Sequence, residues 1–382
     1  MPSSDPVPWL NPTAAYLHIP FCAHHCGYCD FAVVSGRDHQ IDLYVEALGA
    51  ELATLPRPAP VKTIFFGGGT PTYLSVDQLR RLLTFVREWL PLEADGEFSI
   101  ESTPESITSE KIDLLAEHGV TRISIGVQTF HEHLLPVLER IHGPEHVAPA
   151  VAAARQGGLS VSLDLIFGVP GQTLHHWNCD LHAALSLEPD HLSTYGLTYE
   201  KGTPLWKDRE RGEIRQVEEM LELDMYLRAI DKLEEAGFEH YEISNFAKPG
   251  KRCRHNEVYW ANHAYFGFGL GAARYVGGKR EVNTRNLGEY LRRALAGEPA
   301  TFQSEELGPE ERARETAVVQ LRRGDGINRQ EFHQQTGFNL VELYGDKLIH
   351  WIENDIVQDD GERVRLTRKG KCLADSLAVA ML

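Results

Sequence analysis

Three cysteines lie within eight positions of one another, at Cys22, Cys26 and Cys29, whereas the other three cysteines of the chain stand apart. Thiolates at this C-x3-C-x2-C spacing can each bind one iron of a [4Fe–4S] cubane, which leaves the fourth iron with an open coordination position. An iron with an open position can bind a further ligand. The spacing therefore favours an iron–sulfur cluster that contacts a small molecule directly.

Two other roles for these cysteines stay open from the spacing alone. A tetrahedral zinc ion would take the three thiolates and a fourth ligand from His24, His25 or Asp30. Three unliganded thiols in an apolar core are the second alternative, which the polar neighbours disfavour. Six cysteines in 382 residues are too few for a disulfide scaffold.

A glycine run ends the second apolar segment, in the stretch FFGGGTPT that contains Gly68, Gly69 and Thr70. Glycine lets a backbone approach a ligand closely because it has no Cβ. A tight turn between a strand and a helix is the structural alternative. The run lies one strand after the cysteines, which favours a ligand-binding role.

Polar side chains also occur in the next three apolar segments. Glu101 ends the third segment, Gln128 ends the fourth, and Asp164 lies within the fifth, where apolar residues are expected. A salt bridge or a buried hydrogen bond is the alternative for each residue taken singly. Together they predict a ligand at one edge of a sheet.

These residues are brought together if residues 14 to about 200 form alternating strands and helices, as the hydrophobic periods indicate. The predicted strands are AAYLHI, VKTIFF, EFSIES, TRISIGV, SVSLDLIF and HLSTYGLT. The predicted helices are Ile41–Leu55, Val76–Leu90, Glu110–His118, Glu132–Leu138, His146–Gln156 and His175–Leu185. Six such units predict an α/β fold, a partial (β/α)6 barrel with the cysteines at the C-terminal end of its first strand.

The rest of the chain follows different patterns. A long amphipathic helix, Val217–Ala236, precedes a short strand, EHYEIS, and an aromatic, glycine-rich stretch. Helices at Pro309–Arg323, Arg329–Thr336 and Leu340–Asn354 and a hairpin in DIVQDDGERVRLT then indicate a winged-helix-like domain, used for packing in preference to DNA binding. We predict a barrel at 1–200, an extension at 201–300 and this domain at 301–382.

With these motifs in place, the sequence resembles the radical S-adenosylmethionine (radical SAM) superfamily over nearly its whole length. The resemblance implies a [4Fe–4S] cluster whose open iron chelates S-adenosylmethionine, and a partial barrel around both. It also implies cofactor-binding roles for a set of residues whose local words match the superfamily. These are Tyr16, Gly68, Gly69, Thr70, Glu101, Gln128, Arg140 and Asp164. Arg140 falls on a predicted helix, where a plain salt bridge is the alternative.

Within the superfamily, the words YLHIPFC, FFGGGTPTYL, GVQTF and LIFGVPGQT resemble the branch of oxygen-independent coproporphyrinogen III dehydrogenases and HemW-type heme chaperones. The dehydrogenases typically have a further cysteine two positions after the third, where this chain has Phe31, and a longer segment before the first strand. The chaperones are associated with an H-N-x-x-Y-W motif. Here it is His255, Asn256, Tyr259 and Trp260.

The first hypothesis is therefore a chaperone that binds heme and transfers it to an acceptor hemoprotein, such as a respiratory one at the membrane. A histidine can ligate heme iron and two aromatic rings can stack on the macrocycle, although a packed, hydrogen-bonded histidine is the structural alternative. The second hypothesis is the dehydrogenase, which decarboxylates propionate side chains oxidatively. A winged-helix regulator with a redox-sensing cluster is the third.

The overall composition restricts the partners and the address. The formal charge of −17 repels phosphate backbones, so no dedicated nucleic-acid binding is expected. No apolar run approaches the roughly 20 residues of a membrane span, and the start MPSSDPVPWLNPT lacks the apolar centre of a signal peptide. We expect a cytoplasmic protein whose partners are heme, an acceptor hemoprotein and a reductant for the cluster.

Overall fold

A computed structural model describes residues 8–382. The first seven residues of MPSSDPVPWLNPT, the stretch expected not to be a signal peptide, lie outside the described residues. Six strands alternate with helices in the first half, and each pairs in parallel with its sequence neighbour. The strands are β1 (Ala14–Ile19), β2 (Val61–Gly68), β3 (Leu92–Ser102), β4 (Arg122–Gln128), β5 (Ser160–Phe167) and β6 (His191–Gly196). The predicted α/β fold with a parallel sheet is confirmed.

Five helices cover the outer face of this sheet, and three of them begin at a side-chain cap. They are α1 (Ile41–Leu52), α2 (Val76–Trp89), α3 (Ser109–Glu117), α4 (Val147–Gln156) and α5 (Leu174–Ser186). The hydroxyls of Ser75, Thr108 and Thr173 accept backbone N–H groups at the starts of α2, α3 and α5. Ile64 and Phe66 of β2 point into the core between sheet and helices, and both are buried.

Short strands from the middle of the chain extend this sheet at both edges. The strands are β7 (Glu239–His240), β8 (Asn245–Ala247) and β9 (Phe266–Phe268). The complete order is β7-β8-β6-β5-β4-β3-β2-β1-β9, with β8 antiparallel to β6 and β9 parallel to β1. Since the order has two ends, the sheet is an open barrel.

The segment after β6 contributes helices and a small antiparallel sheet. Its helices are α6 (Pro204–Glu210), α7 (Glu219–Glu235), α8 (Arg254–Trp260) and α9 (Leu287–Leu295), and its sheet contains β10 (Ala273–Val276), β11 (Lys279–Asn283) and β12 (Thr301–Glu306). The 3-10 turns of the chain are Pro8–Leu10, Asp38–Gln40, Pro71–Tyr73, Pro104–Ser106, Pro136–Leu138 and Pro144–His146. No helix of the described part combines the length and the apolar character that crossing a membrane requires.

A C-terminal domain has a hydrophobic core of its own, which includes Phe332, Leu343 and Trp351. Its helices are α10 (Pro309–Leu321), α11 (Arg329–Thr336), α12 (Leu340–Tyr344), α13 (Asp346–Glu353), α14 (Arg368–Cys372) and α15 (Ala374–Met381). Its strands, β13 (Ile327–Asn328), β14 (Val357–Asp359) and β15 (Arg363–Leu366), form one antiparallel sheet in the order β13-β15-β14. The hairpin of β14 and β15 lies where the sequence predicts a wing.

Three local predictions are wrong. The helix expected at Glu132–Leu138 is reduced to a 3-10 turn, because Pro136 lacks an N–H and Glu139 adopts a left-handed conformation with φ 53°. The helix expected at Leu340–Asn354 is split into α12 and α13 by Gly345, whose φ is 46°. The strand expected in EHYEIS extends only over Glu239–His240.

Candidate functional site

The cluster loop, residues 20–35, follows β1 at the C-terminal end of the parallel strands. Cys22, Cys26 and Cys29 are free thiols on this loop, and all three line one cavity of about 1030 Å³. The loop is closed by backbone hydrogen bonds, from Cys29 N to Cys26 O (3.1 Å) and from Cys22 N to Val34 O (3.1 Å). The structure therefore brings the three predicted cluster ligands together.

Burial makes two of these thiols weaker acids than an exposed cysteine. It raises the pKa of Cys22 to about 11, although the Thr70 hydroxyl at 3.4 Å partly opposes the shift. Burial raises the pKa of Cys29 to about 11 as well, against a backbone hydrogen bond that lowers it. Both thiols are protonated at neutral pH, so iron binding at these sulfurs must release protons.

His18 ties the cluster loop to the barrel. Its Nε2 lies 3.0 Å from Ala32 O on the loop, and its Nδ1 lies 3.0 Å from the hydroxyl of Tyr16 on β1. Burial lowers the pKa of His18 to about 4, so the ring is neutral at pH 7. Tyr16 itself stacks on Phe65 with ring centroids 6.3 Å apart and, unlike the other predicted cofactor-binding residues, does not line the cavity.

The glycine run joins the end of β2 to the cluster loop. Gly69 N donates to Ile19 O (2.8 Å), and a Cβ on Gly69 would lie 2.6 Å from the Pro20 carbonyl carbon. Gly68 has φ 106°, and a Cβ there would lie 2.3 Å from the His18 ring. Larger residues do not fit at either position, so the backbone itself forms the cavity wall here.

Two half-buried carboxyls face the cavity from β3 and β5. Burial raises the pKa of Glu101 to about 7, against the lowering effect of the Gly68 N–H, which donates to Glu101 Oε2 at 2.9 Å. Burial also raises the pKa of Asp164, although the Ser124 hydroxyl contacts both of its oxygens at 2.9–3.0 Å. Carboxyls held in such a cavity suit hydroxyl or amine donors of a ligand.

Gln128 and Arg140 complete the set of predicted cofactor residues. Gln128 lines the cavity with a left-handed backbone, φ 66°, where the register of β4 shifts. Arg140 does not lie on a helix, contrary to the sequence prediction, because the Glu132–Leu138 helix does not form. Its Nη1 lies 3.4 Å from Cys26 Sγ and its Nη2 donates to Gly126 O at 2.8 Å.

The donor set fits a [4Fe–4S] cluster with a bound small molecule. Three thiols, a glycine-lined wall and polar side chains share one cavity. The thiols can bind three irons of a cubane, and the glycine wall and the polar groups can hold the ligand of the fourth iron. Within residues 8–382, no group of three or more His, Cys, Asp or Glu side chains is placed to hold a metal ion. A cubane distributes its thiolates over three irons and does not require them to converge on one point.

The H-N-x-x-Y-W segment is not at this cavity but on α8, at the opposite end of the strands. His255 is fully buried, with Nδ1 2.9 Å from the Thr63 hydroxyl and Nε2 2.8 Å from the Tyr259 hydroxyl. Its ring stacks on Phe65 at 5.2 Å. Thr63 and Gly68 are five residues apart on β2, roughly 16 Å along the strand, and the Phe65 ring lies between His255 and the glycine run, since a Cβ on Gly67 would lie 3.0 Å from it.

Helix α8 closes the lower end of the barrel, which we call the barrel floor. The carboxylate of Glu97 on β3 accepts the N–H groups of Arg254 (3.0 Å) and His255 (3.2 Å) at the start of the helix. On β4, the Arg122 guanidinium donates to Lys251 O just before the helix (3.1 Å). One short segment can contact these strands because β2, β3 and β4 are neighbours in the sheet.

The other two residues of the motif have no iron-binding role in this conformation. Asn256 is half-buried, and Trp260 lies under the guanidinium of Arg322 from the C-terminal domain, 5.4 Å from the ring centroid. Sequence analysis did not identify Glu97 as the cap of this helix. Its signal was present, since Glu97 is a carboxylate in an apolar strand, like Glu101.

Comparisons with known proteins agree with this geometry. Residues 16–181 match the Radical SAM superfamily model and residues 307–373 match the HemN C-terminal domain model. The chain is 38% identical to the heme chaperone HemW of Bacillus subtilis over 374 residues, which is 97% of this chain and 99% of that protein. The chain belongs to the HemW family. The HemW-family chain of Escherichia coli is 40% identical over 69% of this chain and 70% of its own.

The wider resemblance and the fold are confirmed as well. A mitochondrial radical S-adenosyl methionine domain-containing protein 1 of Danio rerio is 32% identical over 100% of this HemW-family chain and 89% of its own. The fold matches the coproporphyrinogen III oxidase HemN of Escherichia coli with a TM-score of 0.85, at 24% identity, over 98% and 91% of the two chains. Membership in the radical SAM superfamily implies a [4Fe–4S] cluster and S-adenosylmethionine.

Proposed function

We propose that this protein is a heme chaperone, which binds heme and transfers it to an acceptor hemoprotein. The observation that carries the proposal is the 38% identity with a curated heme chaperone over 97% of the chain. Phe31 supports it, since the related dehydrogenases typically have a cysteine at that position. We further propose that transfer takes place in the cytoplasm, to an acceptor such as a respiratory hemoprotein at the membrane, with a separate reductant for the cluster.

We assign the cluster and the cofactor to the cavity beside the cluster loop, at the C-terminal end of the parallel strands, which we call the barrel mouth. Cys22, Cys26 and Cys29 would hold the [4Fe–4S] cluster, which supplies the electron that cleaves bound S-adenosylmethionine. A second set of groups would bind S-adenosylmethionine through backbone N–H, carboxyl, amide and guanidinium groups. This set is Gly68, Gly69, Thr70, Glu101, Gln128, Arg140 and Asp164, with Tyr16 supporting the cluster loop through His18.

Heme binding at the H-N-x-x-Y-W segment is a proposal that requires the buried His255 to become accessible. Both ring nitrogens of His255 are engaged, and burial lowers its pKa to about 3. Ligation of heme iron through Nε2 would break the hydrogen bond to Tyr259 while Nδ1 keeps Thr63, and α8 would have to move to expose the fully buried ring. Tyr259 would lose the same bond, since its hydroxyl contacts His255 Nε2.

The second candidate function is the oxygen-independent dehydrogenation of coproporphyrinogen III. The specific observation in its favour is the complete cofactor cavity, in which glycine backbone, half-buried carboxyls and three thiols are all retained. A chaperone that only carried heme would not need every one of these groups. The fold is shared by both functions and does not distinguish them.

One preparation can separate the two functions. The cluster is reconstituted anaerobically, and the same sample is titrated with heme by absorbance and assayed for protoporphyrinogen formation from coproporphyrinogen III. Stoichiometric heme binding without turnover is the expected result. Turnover at an enzyme-like rate, on the order of 1 per second or faster, would overturn the chaperone assignment.

A further inference from the structure

The mouth of the barrel combines the groups that a heme needs. Phe31 and Ile141 line the cavity beside the cluster loop and are 63% and 60% exposed, which is unusual for two large apolar side chains on one rim. His24 and Arg285 line the same cavity. An apolar surface for the macrocycle, an imidazole for the iron and a guanidinium for the propionates thus lie around one opening.

His24 is the imidazole that is available for iron. Its side chain is 43% exposed, and its Nε2 lies 3.5 Å from the Glu139 carboxylate. Metal-bound histidines commonly keep a carboxylate on the nitrogen that does not bind the metal. The neighbouring His25 also has a hydrogen-bond partner on Nε2, Cys29 O at 3.0 Å, but its side chain is less exposed than that of His24.

The local structure holds this pair at the rim. Glu139 has a left-handed backbone, and its side chain packs on Gly27, where a Cβ would lie 2.8 Å from Oε1. The next residue, Arg140, contacts Cys26, so residues 139–141 follow the cluster loop closely. On the other side, the Arg285 guanidinium contacts the Asp30 carbonyl next to Phe31 and lies 3.7 Å from the Asp30 carboxylate.

The space available for heme and the need to release it both favour the barrel mouth over the barrel floor as the heme site. Ligand cavities are typically about 300–1,000 Å³, so the cluster and the cofactor would fill much of this cavity of about 1030 Å³, and a heme would bind at its rim, where Phe31 and Ile141 are exposed. A chaperone must also release its cargo. A half-exposed imidazole at an open mouth permits release, whereas the fully buried His255 does not.

We propose that heme binds at the mouth site, formed by His24, Phe31, Ile141 and Arg285, with His24 as an axial ligand of the iron. This inference rests on the proposed chaperone function. It places the cargo next to the cluster and the cofactor, so that occupancy of the cofactor pocket can affect heme release.

The test is a heme titration of the cluster-reconstituted protein with S-adenosylmethionine present. His24→Gly should raise the Kd for heme at least tenfold and shift the Soret band, and added imidazole should restore the band. The broad cluster absorption should remain. His350→Ala, an exposed histidine on α13, is the matched control and should bind heme as the wild type does.

The variants also separate this inference from the chaperone proposal. If the wild type binds no heme, the chaperone function fails. If it binds heme and His24→Gly is unchanged, or if only His255→Ala loses binding, the mouth site is wrong and the chaperone function stands. Should His24→Gly lose its cluster, Ile141→Glu decides, since it puts a charge on the apolar surface without altering a residue of the cluster loop. Unaltered heme affinity in that variant also overturns the mouth site.

Discussion

The buried His255 gives a stability prediction whose size follows from its contacts. His255→Ala removes two hydrogen bonds and leaves the buried Thr63 hydroxyl and the half-buried Tyr259 residue without that partner, at about 1–3 kcal/mol each. It also opens a cavity of ring size under Phe65. Since neighbouring groups relax partly, we expect a loss of about 3–5 kcal/mol in the free energy of unfolding at pH 7.

The pH dependence tests the same reasoning with a definite sign. Burial lowers the pKa of His255 from 6.5 to about 3, so between these values the unfolded chain binds a proton that the folded protein does not. Stability contributed by the neutral ring is present above pH 6.5 and is lost as the pH falls. Because of this residue, the free energy of unfolding of the wild type should fall by about 2 kcal/mol between pH 7 and pH 5. The alanine variant should lack this contribution to the fall.

Urea unfolding followed by circular dichroism and tryptophan fluorescence, at pH 7 and pH 5, measures both effects. His350→Ala is the control and should change stability by no more than about 0.5 kcal/mol, because its side chain is exposed. A loss below about 1 kcal/mol for His255→Ala, or a difference from the wild type that does not shrink at pH 5, would refute the buried, doubly bonded ring.

Two further predictions concern the cavity at the mouth. Cys26→Ala should abolish the broad visible absorption of a reconstituted cluster, whereas Cys179→Ala, exposed on α5, should retain it; a surviving cluster in the first variant would overturn the ligand assignment. Gly69→Ala would put a Cβ 2.6 Å from Pro20 backbone, so S-adenosylmethionine should bind at least tenfold more weakly by equilibrium dialysis. Gly288→Ala, whose Cβ has room on α9, should bind normally, and equal affinities would contradict the close approach.

The strands and the cluster loop were predictable because local patterns determine them. AAYLHI and SVSLDLIF coincide with β1 and β5, and the cysteines follow β1 as expected. The absence of a helix at Glu132–Leu138 was only partly predictable: Pro136 is a local signal against it, but the left-handed Glu139 and the contacts of Arg140 depend on the loop opposite.

The position of the H-N-x-x-Y-W segment could not be read from its neighbourhood in sequence. Its aromatic residues and histidine suggest a ligand site, and nothing local indicates that Thr63 and Glu97 will engage His255. These contacts join residues 192 and 158 positions apart. Thr63 and Glu97 are paired on the adjacent strands β2 and β3, and α8 returns to this pair only after the rest of the barrel, a contact that a hydrophobic period does not reveal.

The barrel floor also sets an order of events for a chain that is still being made. Thr63 leaves the ribosome 192 residues before His255, which at 5–20 residues per second is a delay of roughly 10–40 s. During this interval the strands can pair while the polar groups of the lower lumen remain open to water. The Gln320 and Gln335 side chains, which donate to Ala261 O at 3.1 and 3.0 Å, arrive later still. The nascent barrel is therefore most exposed to misfolding and to proteases before its floor is complete.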